Sequence, residues 1–539
     1  MGENTTTAAV LGGPEALPPA AERASSSSFM AERATAVEED DEPQIELDGL
    51  AAALYMAKCR DSGLVPIQNG MIRFQQQVLS EHKGTSTVGQ EVRLRDAGLG
   101  PRGGQVLCKY LATPVGLDLH GNGSLGDAGA GALLPLLEHG TVRRLDLGAC
   151  GLRHDFAAAL SRYVLRAPNA LSSLTHLILG GTGTGVQRLN ELRQVPALLL
   201  VLQHNCPRLR VLSLSHNALG AGGDAQHTVL ALAALLTQSS TLATLDLSRN
   251  ALGHAAAPLL QVIPLCPALV DLDLGGNGLG DRGVALIRKG LATKSSNDVV
   301  AGLTGTIAEI AAHAVSLRAG PRRRWESQMT PTPVRLQRLV LSSNDLHAAG
   351  ARNLAALLSG PSHLRTLTLA DNAFGDEGAT ELAAALCGNR TLEELNLGNN
   401  RLHHTGAAAL AEALRTRCSL QVLRLPRNHL LDAGAFALAA ALPASSTLRL
   451  LDISSCRVGD SGAVALAEAL GSNRSLRVLR LHDNNITEVG GYRLVSLLQA
   501  HLTDDRASGR QMGGIHQAHR VLIRHASSFC SAPAPAPAP

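Results

Sequence analysis

A phrase of 28 residues recurs through the second half of this chain, and it constrains the fold more than any other feature. Each copy reads L-x-x-L-x-L-x-x-N-x-L, followed a few residues later by G-A-x-x-L-A-x-x-L. Looser copies run back to about residue 88. A fixed period of this length is typical of a solenoid, in which one short unit stacks on the next. The best copies begin 28 residues apart, at Leu336, Leu364, Leu392, Leu420, Leu448 and Leu476.

Each copy of the phrase predicts one strand and one helix. Leu395 and Leu397 alternate at a period of two, so both face the interior from a short strand, and Asn396 between them faces out. Leu410 and Leu414 lie four residues apart, on one face of a helix. Neither element can bury its apolar face alone, so stacked neighbours must cover it. We therefore expect an α/β solenoid with a parallel β-sheet on its concave face and α-helices on its convex face.

Strand centres can be located by the same pattern between residues 88 and 503, which predicts about thirteen repeats. The first, fourth and seventh repeats are irregular. The predicted centres are Val92, Leu117, Leu145, Leu177, Leu212, Leu245, Leu272, Leu339, Leu367, Leu395, Leu423, Leu451 and Leu479.

Two polar residues recur within the repeats, and both have structural explanations. A buried Asn after the strand is expected to bond the backbone of the turn, because an unpaired polar group there would cost about 1–3 kcal/mol. Cys150 and Cys456 replace this Asn in two repeats. An Asp at the start of the helix is expected to cap the free N–H groups of that helix. The Asp residues are Asp127, Asp281, Asp376, Asp432 and Asp460.

With these residues the chain resembles the ribonuclease-inhibitor class of leucine-rich repeats, in which each repeat combines a strand with a full helix. The class includes the ribonuclease inhibitor, the sensor halves of NOD-like receptors, the Ran GTPase-activating protein and axonemal proteins of the nexin–dynein regulatory complex. The resemblance implies a surface on which other proteins dock, within a larger assembly. The fold alone does not choose among these functions. An inhibitor or immune-sensor module therefore stays open beside a scaffold, although we expect no nucleotide-binding oligomerisation segment before the repeats.

Two segments precede the repeats and one follows them. Residues 1–46, rich in Ala, Ser, Thr and Pro, are expected to be a disordered arm. Residues 47–87 are expected to form a helical cap, because apolar residues keep roughly helical spacing from Leu47 to Met56. Residues 504–539 are expected to be a tail, which is rich in Ala and Pro at its end.

The lead-in to the first repeat carries a second resemblance. The stretch Tyr55-x3-Cys59-x4-Leu64-Val65-Pro66 is similar to the corresponding part of several cilia- and centrosome-associated leucine-rich-repeat proteins. The similarity implies that the scaffold belongs to a ciliary or flagellar axoneme, or to another cytoskeletal complex.

Composition excludes several other classes of protein. A net charge of +3 and 2% aromatic residues argue against nucleic-acid binding. Nine cysteines, without any C-x-x-C pair, favour a reducing compartment and argue against disulfides and a zinc site. We expect no signal peptide, and no apolar run in the sequence is long enough to span a bilayer. We expect a cytoplasmic protein without cofactor or metal; N-terminal acylation at Gly2 is a weak alternative because Glu3 is charged.

No arrangement of residues predicts catalysis by this chain, so we expect that it is not an enzyme. One alternative comes from the Ran GTPase-activating proteins, which carry a T-G-R-V-type turn followed by a helix and C-P-x-L. Here Thr184-Gly185-Val186-Gln187-Arg188 precedes Cys206-Pro207-Arg208-Leu209. The resemblance would assign the family's Arg to Arg188, two residues late, and the family's acidic tail is replaced by Ala and Pro. A GTPase-activating protein for a Ran-like small GTPase is thus the alternative function.

The outward strand positions are the first candidate for partner binding. They are acidic in the first seven repeats and mixed to basic in the later ones, where Glu394 and Asp452 intervene. Such asymmetry orients a charged partner on approach. Since the positions face out, we expect Asp118, Asp246 and Asp273 to be exposed. The candidates are Asp118, Asp146, Asp246, Asp271, Asp273, Arg338, Arg424 and Arg480.

A predicted insertion, residues 294–334, is the second candidate. It contains Pro321-Arg322-Arg323-Arg324-Trp325, and Arg and Trp are the residues most enriched in binding hot spots. Insertions in repeat proteins often lie on the binding face. A surface loop without a partner is an equally good interpretation.

Overall fold

Thirteen parallel strands of three residues each, paired in chain order, form one sheet in the computed structural model of this chain. The structure describes residues 42–81, 91–111, 113–181, 195–221, 225–266, 268–292, 335–360, 362–416 and 418–507. Every predicted strand centre lies at the middle of a strand, which confirms the predicted fold. The strands are β1 Glu91–Arg93, β2 Gly116–Asp118, β3 Arg144–Asp146, β4 His176–Ile178, β5 Val211–Ser213, β6 Thr244–Asp246, β7 Asp271–Asp273, β8 Arg338–Val340, β9 Thr366–Thr368, β10 Glu394–Asn396, β11 Val422–Arg424, β12 Leu450–Asp452 and β13 Val478–Arg480.

Helices connect successive strands and cover the convex side of the sheet. Four short 3₁₀ segments occur among them, at Leu134–Leu137, Gly253–Ala256, Ile263–Leu265 and Leu442–Ala444. The α-helices are α1 Glu42–Ser62, α2 Gln68–Glu81, α3 Pro101–Tyr110, α4 Gly126–Gly131, α5 His154–Arg166, α6 Val195–Asn205, α7 Ala225–Gln238, α8 Ala257–Val262, α9 Gly280–Ala292, α10 Ala348–Leu358, α11 Gly375–Gly388, α12 His404–Arg415, α13 Leu431–Ala441, α14 Asp460–Ser472 and α15 Glu488–Ala507.

The sheet continues across the predicted insertion. Leu272 of β7 lies opposite Leu339 of β8, in the same register as the other strand pairs. The insertion itself, residues 294–334, lies outside the described residues. Strands β7 and β8, which flank the insertion, therefore pair as strands of adjacent repeats.

The core runs along the whole solenoid between the sheet and the helices. Leu395, Leu397, Leu410 and Leu414 are all buried, as the two periodicities in the sequence predict. Burying one such side chain contributes about 1.5–3 kcal/mol, before the entropic cost of folding is counted. Each repeat shares this core with its neighbours, so stability is a property of stacked pairs of repeats.

Buried Asn side chains join each repeat to the one before it. The Nδ2 group of Asn428 donates hydrogen bonds to the Leu425 carbonyl of its own turn and to the Leu397 carbonyl of the preceding repeat, both at 2.9 Å. Its Oδ1 accepts from the N–H groups of Asn400 and Leu402, both at 3.0 Å. The predicted bond from Asn428 to its own turn is present. Three other bonds of this side chain connect it to the preceding repeat.

The Asp residues at the helix starts cap the next helix, so the expectation that each caps its own helix is wrong. Asp376 lies in the first turn of α11, and its Oδ1 accepts from the N–H groups of His403 at 2.7 Å and Gly406 at 3.0 Å. Thr405 Oγ1 donates to the other carboxylate oxygen at 2.5 Å. The side chain of Asp376 points towards the neighbouring helix α12, whose first N–H groups have no acceptor within that helix. Equivalent bonds link Asp127 to Arg153, Asp281 to His347, Asp432 to Gly459 and Asp460 to Thr487.

These bonds also affect ionisation. Partial burial raises the pKa of Asp376, but the bonds from Thr405, His403 and Gly406 outweigh burial, so the pKa lies below its ordinary value. A lowered pKa in the folded state stabilises the fold above the unfolded pKa, and this contribution is lost as pH falls through the folded pKa. The contacts between repeats therefore weaken in acid.

Replacing Asp432 tests this role. Its carboxylate accepts from Gly459 N at 2.6 Å, Gly462 N at 3.1 Å and Ser461 Oγ at 2.7 Å. Asp432→Ala is expected to lower the free energy of unfolding by about 0.5–2 kcal/mol, the usual cost of losing a helix cap. Asp432→Asn, which keeps an accepting oxygen, should cost less in the same urea titration. Equal losses in the two variants would show that the bonds to α14 do not stabilise the fold.

Helix α1, which precedes the first strand, is bonded to the first repeat. Leu50 and Leu54 of α1 are buried in the common core, whereas Met56, which the spacing grouped with them, is 37% exposed. Asp61 accepts a bond from the N–H of Arg102 at the start of α3, at 3.1 Å. Helix α1 begins at Glu42 and α15 ends at Ala507, so helix extends into the segments expected to be arm and tail.

Cysteines at core positions are held as thiols. Cys456 replaces the recurring Asn, and its Sγ donates to the Leu425 carbonyl of the preceding repeat at 3.1 Å. Burial raises the pKa of Cys150 and of Cys456 to about 12. The eight described cysteines are all free. Among the described helices, none is both long enough and apolar enough to cross a membrane.

This burial predicts the reactivity of the thiols. At pH 8 a thiol with a pKa of about 12 is ionised in roughly one molecule in 10⁴, and the thiolate is the reactive form. Cys150 and Cys456 are therefore expected to resist iodoacetamide in the folded protein and to react once urea unfolds it. Peptide mass spectrometry measures both states, and rapid labelling of either residue in the folded protein would contradict its placement.

Candidate functional site

The outward residues of the strands form two rows across the concave face. The first and third residue of every strand face away from the core, and the register aligns each with its equivalent in the next strand. The third residues, in order, are Arg93, Asp118, Asp146, Ile178, Ser213, Asp246, Asp273, Val340, Thr368, Asn396, Arg424, Asp452 and Arg480.

The acidic residues of the first repeats are covered by arginines. Asp118 is 7% exposed and Asp146 is 2% exposed, so the expectation that Asp118 would be exposed is wrong. Asp246 and Asp273, which were expected to be exposed as well, are half-buried. Arg95 Nε donates to Asp118 Oδ2 at 2.8 Å, and its Nη2 lies 3.6 Å from Asp146 Oδ2. Arg144 Nη2 lies 3.9 Å and 3.6 Å from the same two oxygens. These charges are balanced within the protein.

Sequence reasoning did not select Arg95 or Arg144, although a signal was present. Arg144 opens β3, at the same register as Gly116 of β2. The Arg144 side chain lies near the carboxylates of Asp118 and Asp146, on the neighbouring strand and on its own. Comparing neighbours within a row, and not only along the chain, would have identified the pairing.

Acidic residues at the third strand position also have a local structural role. Asp246 Oδ1 accepts from the N–H of Ser248, two residues later, at 3.0 Å. Asn396 makes the same bond to Gly398 at 3.0 Å, so a neutral amide can replace the carboxylate there. The bond shapes the turn that leaves the strand. Equivalent bonds join Gly148 to Asp146, Gly275 to Asp273 and Ser454 to Asp452.

Three carboxylates lie close together at the centre of the concave face. Asp246 of β6 lies opposite Asp273 of β7, and Asp271 is on the same strand as Asp273. Arg338 of β8 bonds Asp271 at 3.0 Å. Adjacent strands are about 4.8 Å apart, so the three charges act on each other. We call Asp246, Asp271 and Asp273 the acidic patch.

The pKa of Asp273 reflects its burial first and this crowding second. Burial raises its pKa, and the neighbouring carboxylates of Asp246 and Asp271 raise it further. The N–H of Gly275 and the charge of Arg338 oppose the shift without cancelling it. The acidic patch is therefore a place where an additional positive charge is favourable.

The basic residues of the later repeats are mostly paired. Arg424 forms an ion pair with Glu394 of the preceding strand. Arg480 Nη1 lies 3.3 Å from Asp452 Oδ2. The concave face is thus less polarised from end to end than the sequence predicts, since cross-strand partners neutralise both ends. The acidic patch is its main local excess of charge.

Several predicted residues lie outside the described residues. They are Gly2, Arg188, Arg322, Arg323, Arg324 and Trp325. All four residues of the C-P-x-L match that follows Arg188 are described: Cys206 and Leu209 are buried in the core, and Pro207 and Arg208 are exposed. Burial raises the pKa of Cys206 to about 12. Core packing thus accounts for this part of the match.

The described residues offer no metal centre. No group of three or more His, Cys, Asp or Glu side chains among them is arranged to hold an ion. The features that the concave face does present are ion pairs, hydroxyl groups and the acidic patch.

Comparisons with known proteins agree with this architecture. The Leucine Rich repeat family model matches residues 266–287, 360–383, 388–411, 444–467 and 472–495. A bovine protein, "NACHT, LRR and PYD domains-containing protein 5", is 30% identical over 229 residues, which is 38% of this chain and 20% of that protein. The zebrafish "Tonsoku-like protein" is 34% identical over 166 residues, 29% of this chain and 10% of that protein. The chain thus spans a fifth or less of these relatives.

Among solved structures, the complex of yeast Rad7 and Elc1 contains a similar chain. It is 18% identical and has a TM-score of 0.40, covering 83% of this chain and 90% of that one. The thirteen-stranded parallel sheet and the matched repeats together define this chain as a leucine-rich-repeat solenoid of the α/β class. Solenoids of this kind present extended surfaces to which other proteins bind.

Proposed function

We propose that this protein is a non-enzymatic scaffold that binds another protein through the acidic patch on its concave face. The carrying observation is that Asp246, Asp271 and Asp273 lie on two adjacent strands, where burial first, and the two neighbouring carboxylates second, raise the pKa of Asp273. The ends of the same face carry charges that are already paired internally. The short, hydrogen-bonded strands hold the patch rigidly, which lowers the entropic cost of binding.

The chemistry of the patch favours a partner with Lys or Arg on its surface. A cation placed among the three carboxylates would relieve their mutual repulsion and lower the pKa of Asp273. Ser213 and Ser248 donate to Asp246 at 2.8 Å, so hydroxyl groups border the patch as further polar contacts. Charges on a fixed surface mainly increase the rate of association and orient the partner.

The experiment needs a partner, captured from cells with the tagged full-length chain. The variant Asp246→Asn/Asp271→Asn/Asp273→Asn removes three charges, and Asn keeps the turn bond, as Asn396 does. We expect a lower association rate with a weaker dependence on salt, and an unchanged melting temperature.

The matched control neutralises three exposed carboxylates on the convex helices, Glu377→Gln/Glu412→Gln/Glu468→Gln. It should leave the association rate as in the unmodified protein. If the concave variant binds every captured partner at the unmodified rate, the patch is not the binding site.

We also propose that the repeats are of the ribonuclease-inhibitor type and that the scaffold acts in the cytoplasm within a ciliary, flagellar or other cytoskeletal assembly. Helices of 14 and 12 residues in α11 and α12 support the first part. The second part rests on the lead-in from Tyr55 to Pro66, where Leu64 and Val65 are exposed. A tagged copy in ciliated cells should give an axonemal signal; a nuclear-envelope signal would favour the GTPase-related alternative.

That alternative has its own test. The purified protein is expected to leave the rate of GTP hydrolysis by Ran unchanged in a single-turnover assay. GTPase activation by an arginine finger can reach roughly 10³–10⁵-fold, so activity would be easy to detect. Strong activation that disappears in Arg188→Ala would replace the scaffold with a GTPase-activating protein.

A further inference from the structure

The loop between helices α1 and α2 places four successive apolar side chains in water. Leu64 is 65% exposed, Val65 is 82% exposed and Ile67 is 62% exposed. Pro66, between them, is exposed as well. A contiguous apolar patch outside the core marks a site of interaction, whereas single exposed apolar residues need no explanation. We call these four residues the apolar loop.

Hydrogen bonds hold the apolar loop in one conformation at both of its ends. Gly63, in the left-handed region, ends α1, and the N–H of Leu64 then donates to the Cys59 carbonyl at 2.9 Å. The buried Tyr55 Oη donates to the Ile67 carbonyl at 3.3 Å, and the N–H of Ile67 donates to the same hydroxyl at 3.4 Å. Tyr55 and Cys59 thus have a physical role, which is to present the apolar loop rigidly.

The apolar loop can leave water without losing many hydrogen bonds. The N–H groups of Leu64 and Ile67 already have acceptors within the protein, and Pro66 has no N–H. An apolar medium tolerates a backbone only when such groups are satisfied internally. A protein interface, by contrast, normally carries about one hydrogen bond per 100–200 Å², and this loop has no polar side chain to form one. The loop is therefore better suited to lipid than to a protein groove.

Basic side chains border the apolar loop. Arg60, in the last turn of α1, and Arg73, in α2, are both exposed. Asp61 is the single acidic residue between 49 and 77, and its carboxylate accepts from the N–H of Arg102 at 3.1 Å and from its Nη1 at 3.3 Å. An anionic surface is therefore favoured over a second copy of this chain, which would bring the same arginines.

We propose that the apolar loop inserts into the surface of an anionic membrane, where Arg60 and Arg73 bind lipid phosphate groups. Attachment of this kind strengthens with the apolar area removed from water and with the attraction of basic residues to anionic lipids. The first repeat is tied to the same region, because Lys58 Nζ donates to the Ala97 carbonyl at 2.6 Å. The solenoid would thus be held at the membrane by its first helices. This role is independent of the acidic patch on β6 and β7.

Sedimentation of the full-length protein with vesicles tests the proposal. We expect vesicles of phosphatidylcholine with phosphatidylserine to bind at least about tenfold more strongly than phosphatidylcholine alone. Val65→Asp should weaken that binding at least about tenfold, because it places a carboxylate in the anionic surface. The matched control is Leu165→Asp on α5, where Leu165 is 73% exposed, and this variant should bind as the unmodified protein does.

A gain of binding separates a membrane from a protein groove. Trp is favoured at the membrane surface, so Val65→Trp should strengthen vesicle binding. Its emission, measured as the difference from the unmodified protein, should shift to shorter wavelength when vesicles are added. Leu165→Trp should show neither effect. All four variants should melt at the temperature of the unmodified protein, because both positions lie outside the core.

Three results would overturn the proposal. The protein could stay in solution with both kinds of vesicle, or Val65→Asp could bind vesicles as strongly as the unmodified protein. Vesicles could instead fail to bind while Val65→Asp loses a captured protein or, by light scattering, a second copy of the chain. That last result would assign the apolar loop to a protein partner.

Discussion

Leu397→Ala is expected to lower the free energy of unfolding by about 2–5 kcal/mol, the range for truncating a buried Leu. Leu397 has 0% exposure and lies between Leu369 and Leu425 of the neighbouring repeats, which are equally buried. Truncation leaves a cavity that three stacked repeats must share. The rigid register of the sheet limits how far they can close it.

Urea unfolding of Leu397→Ala and of Asn396→Ala, one residue away, makes the comparison. Asn396 faces out and makes one hydrogen bond, to the N–H of Gly398 at 3.0 Å. Losing this hydrogen bond should lower the free energy of unfolding by about 1 kcal/mol, the net contribution of a single bond. Equal losses in the two variants would mean that the alternation of inward and outward residues is assigned wrongly.

Asn428→Ala is expected to cost about 3 kcal/mol, because it leaves buried backbone groups without partners. The N–H groups of Asn400 and Leu402 would lose their acceptor and the carbonyl of Leu397 its donor, whereas the carbonyl of Leu425 would keep the thiol of Cys456. Since the bonds cross between repeats, the loss falls on the contact between neighbouring units. We therefore expect the urea unfolding curve of Asn428→Ala to broaden, because the two parts of the array on either side of this contact unfold separately.

The chain itself supplies the control for this variant. Cys456 occupies the equivalent position one repeat later, and its thiol donates to the carbonyl of Leu425. Asn428→Cys should therefore cost less than Asn428→Ala in the same titration. An Asn428→Ala variant as stable as the unmodified protein would remove the Asn residues from the explanation of the fold.

Periodicity was sufficient to place the strands because it reports which side of each element is buried. It did not reveal contacts between repeats. The carboxylate of Asp376 was expected to cap α11 because both lie in the same stretch of sequence, yet its partners, His403 and Gly406, begin the next helix. Helices packed side by side place the first turn of one beside the free N–H groups of the other, and a pattern along one chain segment does not contain that neighbour.

The candidate site shows the same limit. The alternation of residues at a period of two correctly predicts that Asp118 and Asp146 face away from the core. It does not predict which side chains cover them. Arg95 and Arg144 cover both carboxylates from neighbouring strands. The acidic patch differs because two of its carboxylates, Asp246 and Asp273, lie opposite each other, while Arg338 bonds the third, Asp271. The charge of an outward strand residue therefore has to be assessed together with the residues at the same register on the neighbouring strands.

Carboxyl footprinting of the full-length protein with its captured partner tests the central claim most directly. Carbodiimide and glycine ethyl ester label accessible carboxylates, and peptide mass spectrometry measures each site with and without the partner. The account predicts that binding reduces labelling of Asp246, Asp271 and Asp273, while Glu377 and Glu468 on the convex helices react as before. Unchanged labelling of the acidic patch, with protection on the convex helices, would contradict it.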